Sequence, residues 1–328
     1  MIRFGVLGAG RIGKVHAATI AGLSNSSVAY VADAMPEAAQ ALAGSVGAKV
    51  ASVDEVIASD VDAILICTPT DTHADLIEKS VQSGKHVLCE KPVSLSVERI
   101  ERALPIVEKS GKAVMIGFNR RFDPNFGALK KRLHDKEIGE VELVTIISRD
   151  PAPPPVSYIE RSGGLFRDMM IHDFDLARFL VGEEFVSVHA LGAALVDPAI
   201  GTAGDVDTAA VQMQTASGKI AVITNSRRAT YGYDQRIEVH GSGGMLRANN
   251  VHMTTVERAD ASGFTGDVIK NFFIDRYVAA YAAEVTAFVN AVEGGTKPTP
   301  SIHDGLAAQK LAEAATESRR TGQAVRVF

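Results

Sequence analysis

Positive charge is not in surplus: 34 lysines and arginines stand against 39 aspartates and glutamates, a net charge of −5. Non-specific nucleic-acid binding runs on clustered positive charge, so that partner is excluded. Cysteine is scarce. The two present, Cys67 and Cys89, cannot build a disulfide framework, and both end apolar runs (AILIC and HVLC), where they read as buried small hydrophobes. No apolar run approaches the roughly 18 residues that a membrane span needs. The N-terminus enters a strand-like run at once, with no charged-then-apolar leader, which points to a cytoplasmic protein. There is no H-E-x-x-H, no cysteine cluster, no internal repeat and no low-complexity tract, so no metal is expected.

What is present is the composition of a soluble globular protein, 46% hydrophobic and 22% charged, which rules out disorder. At roughly 150 residues per domain, 328 residues predict two domains. A chain of this length buries a large core without a disulfide or metal staple.

In the first third, short apolar runs (2–7, 28–32, 63–67, 86–89 and 113–117) alternate with helical patterns (12–22, 36–43, 73–83 and 96–109). That order predicts a doubly wound parallel sheet, its strands apolar because helices cover both faces. The first run ends in Gly8-Ala9-Gly10-Arg11-Ile12-Gly13. A glycine triplet of this spacing is weak by itself, but here a strand precedes it, a helix follows, and Asp33 ends the second strand. Gly8 permits the tight turn, Gly10 lets a pyrophosphate approach the backbone, and Gly13 lets helix and sheet pack closely. The helix start offers free N–H groups and partial positive charge to phosphates. Asp33 would accept from both ribose hydroxyls and repel a 2′-phosphate, and Ala34 and Met35 supply no basic group. NAD is therefore favoured over NADP.

Two later strand ends carry polar groups, Cys67-Thr68-Pro69-Thr70-Asp71-Thr72-His73 and Cys89-Glu90-Lys91-Pro92. In an open α/β sheet, ligands lie beyond the carboxyl ends of the strands. The plainer alternatives are a solvated strand-end charge for Lys91 and a helix-start neighbour for His73. After Gly117 the pattern changes. Prolines 151 to 155 suggest a loop over a site, and β-like runs follow at 186–195, 207–215, 219–226, 235–241, 245–249 and 251–257. Ile237, Val239 and Gly241 alternate with Arg236, Glu238 and His240, as Val211 and Met213 do with Gln212 and Gln214, which predicts a mostly antiparallel sheet with one covered face. Two helices close the chain, one at 277–293 and one within 302–320. The expected division is a nucleotide-binding domain at 1–118 and an α+β domain at 119–328.

Residues 165–181 read as one helix ended by Gly182. Asp168 and His172, four apart, would share a face, with Asp175 continuing it. A carboxylate one turn before a histidine orients the imidazole and favours its charged form, which tunes it as an acid or base. The alternatives are a surface Asp–His pair of little energetic weight and a zinc site.

Taken in order, Gly8–Gly13, Cys-Thr-Pro-Thr with His73, Glu90-Lys91-Pro92, Gly117 to Arg121 and Asp168-x-x-x-His172-Asp173 resemble the Gfo/Idh/MocA family of NAD(P)-dependent oxidoreductases, over nearly the whole chain. Gly-Phe-Asn-Arg-Arg-Phe-Asp at 117–123, Ser148-Arg149-Asp150 and Tyr231-Gly232-Tyr233-Asp234-Gln235-Arg236 resemble its branch acting on inositols. The resemblance implies a catalytic triad of Lys91, Asp168 and His172, with a cis-proline after the lysine. It implies an NAD site lined by Gly8, Gly10, Arg11, Ile12, Asp33, Thr68, Pro69, His73, Glu90 and Lys91. It also implies a polyol site of Lys91, Asn119, Arg149, Asp150, Asp168, His172 and Tyr233, and a homotetramer paired through the C-terminal sheet. The expected reaction is oxidation of a secondary hydroxyl of a cyclic polyol, myo-inositol foremost. A sugar dehydrogenase on the same scaffold, and a non-catalytic nucleotide-binding sensor, are the alternatives.

Overall fold

The computed structural model describes residues 1–327. They form two compact units, Met1–Phe122 with Ala279–Gln309, and Asp123–Val278 with Lys310 onward. The sequence placed the division between domains at 118/119. The crossing lies four residues later, and part of the C-terminal helical region belongs to the first unit. The reason is packing: Val285, Phe288 and Val289 are buried in the same cluster as Phe4, Val6, Leu65 and Met115.

The first unit holds a six-stranded sheet of β1 (Ile2–Leu7), β2 (Ser26–Ala32), β3 (Lys49–Val50), β4 (Ala63–Ile66), β5 (His86–Glu90) and β6 (Val114–Gly117). Its order is β3-β2-β1-β4-β5-β6, and every pairing is parallel. The connecting helices are α1 (Arg11–Gly22), α2 (Pro36–Val46), α3 (Val53–Ala58), α4 (His73–Gln82) and α5 (Val97–Ser110). This is the doubly wound architecture expected. The order reverses between β1 and β4, and a ligand crevice opens outside the carboxyl ends of the strands at such a switch point. All four residues of β4 and of β6 are buried, as helices on both faces require.

The second unit contains α6 (Pro124–His134), β7 (Val141–Arg149), α7 (Val156–Ser162), α8 (Gly164–Asp168), α9 (Ile171–Val181), β8 (Phe185–Ala193), α10 (Pro198–Thr202), β9 (Thr208–Thr215), β10 (Ile220–Ser226), β11 (Asp234–Gly241) and β12 (Gly244–Ala248). A hairpin of β13 (Glu257–Asp260) and β14 (Gly263–Gly266) follows; further along the chain come α11 (Phe273–Glu293), which belongs to the first unit from Ala279, α12 (Ile302–Thr321), which belongs to the second from Lys310, and β15 (Val325–Arg326). The large sheet runs β12-β11-β7-β10-β9-β8-β15. The β7–β10 pair is parallel and the other pairs are antiparallel. The alternation holds: Ile237, Val239 and Gly241 are buried while Glu238 and His240 are exposed. The run at 251–257 is not a strand until its last residue, where β13 begins. No described helix is long and apolar enough to cross a membrane.

Candidate active site

The glycine turn after β1 is shaped by close backbone contacts. Gly8 has φ +100°, and a Cβ there would lie 2.5 Å from the Cys67 carbonyl oxygen. A Cβ on Gly13 would lie 2.0 Å from the Gly8 carbonyl oxygen, so only glycine lets α1 start this close to the strand. In front of Gly10 there is open space, with no heavy atom within 4 Å of a Cβ placed there. Gly10 caps α1 without a side-chain hydrogen bond, so Arg11, Ile12 and their neighbours begin a helix whose positive end is not covered by its own cap. Asp33, just past β2, accepts from the Ala9 N–H at 2.5 Å and the Met35 N–H at 2.8 Å. It fastens the turn to the end of β2. Open space at Gly10, an uncapped helix start and a carboxylate with no base beside it fit a dinucleotide lacking a 2′-phosphate.

The next two strand ends are tied together. His73 is buried, and its ring nitrogens each lie 2.8 Å from a backbone carbonyl, Nδ1 from Pro92 and Nε2 from Thr68. Both ring nitrogens thus face backbone carbonyls, and His73 ties the loop after β4 to the end of β5. Thr68 and Pro69 lie in the loop so held, with the Thr68 and Thr72 hydroxyls 2.6 Å apart. The Lys91–Pro92 peptide is cis, as the resemblance implied. Lys91 stands half-buried at the end of β5.

Beneath it, the Nε2 of the buried His16 donates to Glu90 Oε1 at 2.7 Å. His16 also stacks edge-on with Tyr281, centroids 5.2 Å apart. Glu90 therefore turns inward, occupying the space a side chain at Gly117 would need. The sequence offered no sign of the His16–Glu90 pair, whose members lie 74 positions apart. Glu284 is fully buried, and among the described residues its carboxyl oxygens have no hydrogen-bond partner. Burial first, and the nearby Glu90 second, push its carboxyl well above the usual range. A carboxyl raised by folding favours the native state at low pH, and that contribution is lost as pH rises through the folded-state value. Glu284→Gln is expected to raise Tm on the order of 5 °C at pH 9. The gap should close as pH falls toward the ordinary carboxylate range. Parallel Tm–pH curves for parent and variant would contradict this.

Cys67 and Cys89 are buried and unbridged, as expected. Burial pushes both thiols up, so neither is a ready nucleophile.

In the second unit the expected continuous helix is corrected. It divides into α8 and α9, separated by Met169 and Met170. Asp168 ends α8, His172 lies in the first turn of α9, and Asp175 is buried beside Arg178 at 3.8 Å. Asp175 shares α9 with His172, three residues on, while Asp168 lies on α8. The Asp168 carboxylate is held from two sides: Tyr158 on α7 donates to Oδ1 at 3.0 Å, and Arg227 Nη2 lies 3.4 Å from Oδ2. The next aspartate, Asp173, is buried and accepts from Asn225 at 2.9 Å.

Sheet register gathers the polyol candidates of this unit at one end. Arg149 at the end of β7 pairs with Ser226 of β10 and Asp234 of β11, and Asp150 follows it, its N–H donating to the Ser226 carbonyl. Arg149 donates to the Tyr231 hydroxyl at 2.9 Å, and Tyr231 donates to Asp234 at 2.6 Å. Tyr233 is buried, edge-on to Tyr277. Asn119 is buried in the 3-10 turn Asn119–Phe122 of the first unit. Among the described residues no group of three or more His, Cys, Asp or Glu is arranged to hold a metal ion.

Residues 2–118 match the oxidoreductase family with an NAD-binding Rossmann fold, and residues 126–247 match the GFO/IDH/MocA C-terminal domain. The chain is 56% identical over 318 residues to an inositol 2-dehydrogenase of Rhizobium meliloti (strain 1021), covering 97% of this chain and 96% of that one. The structure of a putative myo-inositol dehydrogenase from Sinorhizobium meliloti 1021 superposes with a TM-score of 0.98 at 54% identity, each chain fully covered. That of scyllo-inositol dehydrogenase from Lactobacillus casei, with bound NAD(H) and scyllo-inositol, gives 0.93 at 30% identity, covering 100% of this chain and 99% of that one.

Proposed function

The chain belongs to the GFO/IDH/MocA family of oxidoreductases, and we propose on that footing that it oxidises a ring hydroxyl of an inositol with NAD. It is an NAD-dependent dehydrogenase acting on a secondary alcohol, and myo-inositol, giving 2-keto-myo-inositol, is its foremost substrate. The observation that carries this is end-to-end similarity to inositol dehydrogenases in a chain that also has the glycine turn, Lys91 and the Asp168–His172 pair.

NAD, when bound, accepts the hydride that leaves the carbinol carbon. The glycine turn and the start of α1 take the pyrophosphate, and Asp33 takes the adenosine ribose hydroxyls. His172 receives the hydroxyl proton as the C–O bond becomes a carbonyl. Asp168 orients that imidazole and favours its charged form. The Lys91 ammonium hydrogen-bonds the same oxygen and stabilises the charge that develops on it. A neutral alcohol is a very weak acid, so base and cation are both required. Asn119, Arg149, Asp150 and Tyr233 supply donors and acceptors to the remaining hydroxyls. A site built on such bonds rejects an epimer that leaves a buried group unpaired, at roughly 1–3 kcal/mol per lost partner.

A matrix of NAD and NADP against myo-inositol, scyllo-inositol and pyranoses, read by absorbance of the reduced cofactor, tests the reading. The fastest turnover is expected with NAD and myo-inositol. Rate with pyranoses alone would favour the sugar dehydrogenase, and no rate with any polyol would favour the sensor.

The second-unit sheet also supports assembly as a homotetramer. Leu143, Ile147 and Val222 on its outer face are only partly covered within one chain, and Ile220 is exposed. Light scattering should give the mass of four chains, and the mass of one would end that idea. The use of NAD and the two reduced, buried cysteines support work in the cytoplasm.

A further inference from the structure

Arg227 is the largest fully buried side chain of the protein, 1% exposed. Burying a guanidinium is costly, and an apolar side chain of similar volume packs there at less expense. Arg227 directly follows β10, and its backbone N–H donates to the Asp207 carbonyl at 2.8 Å. Its Nε has no hydrogen-bond partner among the described residues, while Nη2 faces Asp168 Oδ2 at 3.4 Å. The cation is thus spent on one carboxylate. Tyr158 takes the other oxygen, at 3.0 Å. Its phenol is pushed well above its usual range by desolvation, by the Asp168 charge and by this hydrogen bond. It therefore remains a donor at any working pH.

Resting on the reading of Asp168 and His172 given above, we propose that Arg227 and Tyr158 are positioning residues for the dehydrogenation. Each grips one oxygen of Asp168, which fixes the carboxylate in one orientation toward the base.

The test compares the kcat and KM of Tyr158→Phe, Arg227→Met and Arg227→Lys with those of the parent, at saturating NAD and varied polyol. Tyr158→Phe and Arg227→Met should each lower kcat by about tenfold with KM for the polyol little changed. Affinity for NAD should not change, and Arg227→Lys should recover part of the loss. Tyr158→Phe removes one hydroxyl from a half-exposed ring, so it keeps the proposal falsifiable if Arg227→Met folds poorly. A parental kcat for Tyr158→Phe would overturn the proposal.

Asp168→Asn separates this failure from failure of the mechanism. If it is slow while the Tyr158 and Arg227 variants match the parent, only the positioning role falls. If it turns over normally, the role of Asp168 falls and the positioning role with it. In an Asp168→Asn background, Tyr158→Phe should have no added effect, and a further drop in kcat would overturn the proposal.

Discussion

Replacing His172 by alanine is expected to lower polyol turnover by ~10²–10⁴-fold, the span typical of losing a positioned general base. NAD should still bind, because His172 lies in the second unit while the glycine turn, Asp33 and the loops held by His73 lie in the first. Steady-state kinetics with a separate measurement of NAD affinity checks both halves of the expectation. A variant that turned over at the parental rate would remove His172 from the chemistry. A variant that lost NAD binding as well would show instead that the substitution damages the fold.

Lys91→Met is expected to be at least as damaging, and chiefly in kcat. Methionine keeps an apolar stem of similar length and removes only the ammonium, so the experiment isolates charge from packing. The charge acts where negative charge develops during reaction, and interactions made only in the transition state appear in kcat. If base and cation serve one oxygen, the double variant should be little slower than the worse single variant, because groups that act as a unit are not additive. Multiplying losses would mean that Lys91 and His172 act at different steps.

The features legible in the sequence were those with local causes. The glycine turn was readable because its spacing lies within one short segment between a strand and a helix, whatever each glycine meets in the fold. The β11 alternation was readable because side-chain direction in a strand is periodic. The division of α8 from α9 was not readable, since the helical period continues through Met169 and Met170 and periodicity is blind to a break that preserves it. Helix α3 did leave a local sign, the capping box of Ser52 and Glu55, which a reading by apolar runs passes over. The partners of Asp168 and His16 were hidden for another reason: Arg227 comes 59 positions after Asp168. No pattern within one element announces a bond of that span. His73 was expected at the cofactor, and it starts α4 after the loop that follows β4. Its two carbonyl partners depend on how the ends of β4 and β5 meet, which only the assembled sheet determines.

The return of residues 279–309 to the first unit bears on how the polypeptide is made. A ribosome that has released the six parallel strands has not yet supplied Val285, Phe288 and Val289, which complete their hydrophobic cluster. Domains tend to mature in order of synthesis, but here the nucleotide half must wait for nearly the last of the message to be translated. A gene truncated after codon 122 would yield a half-domain with an uncovered apolar flank, and splitting the enzyme for complementation would succeed only with the late helix restored.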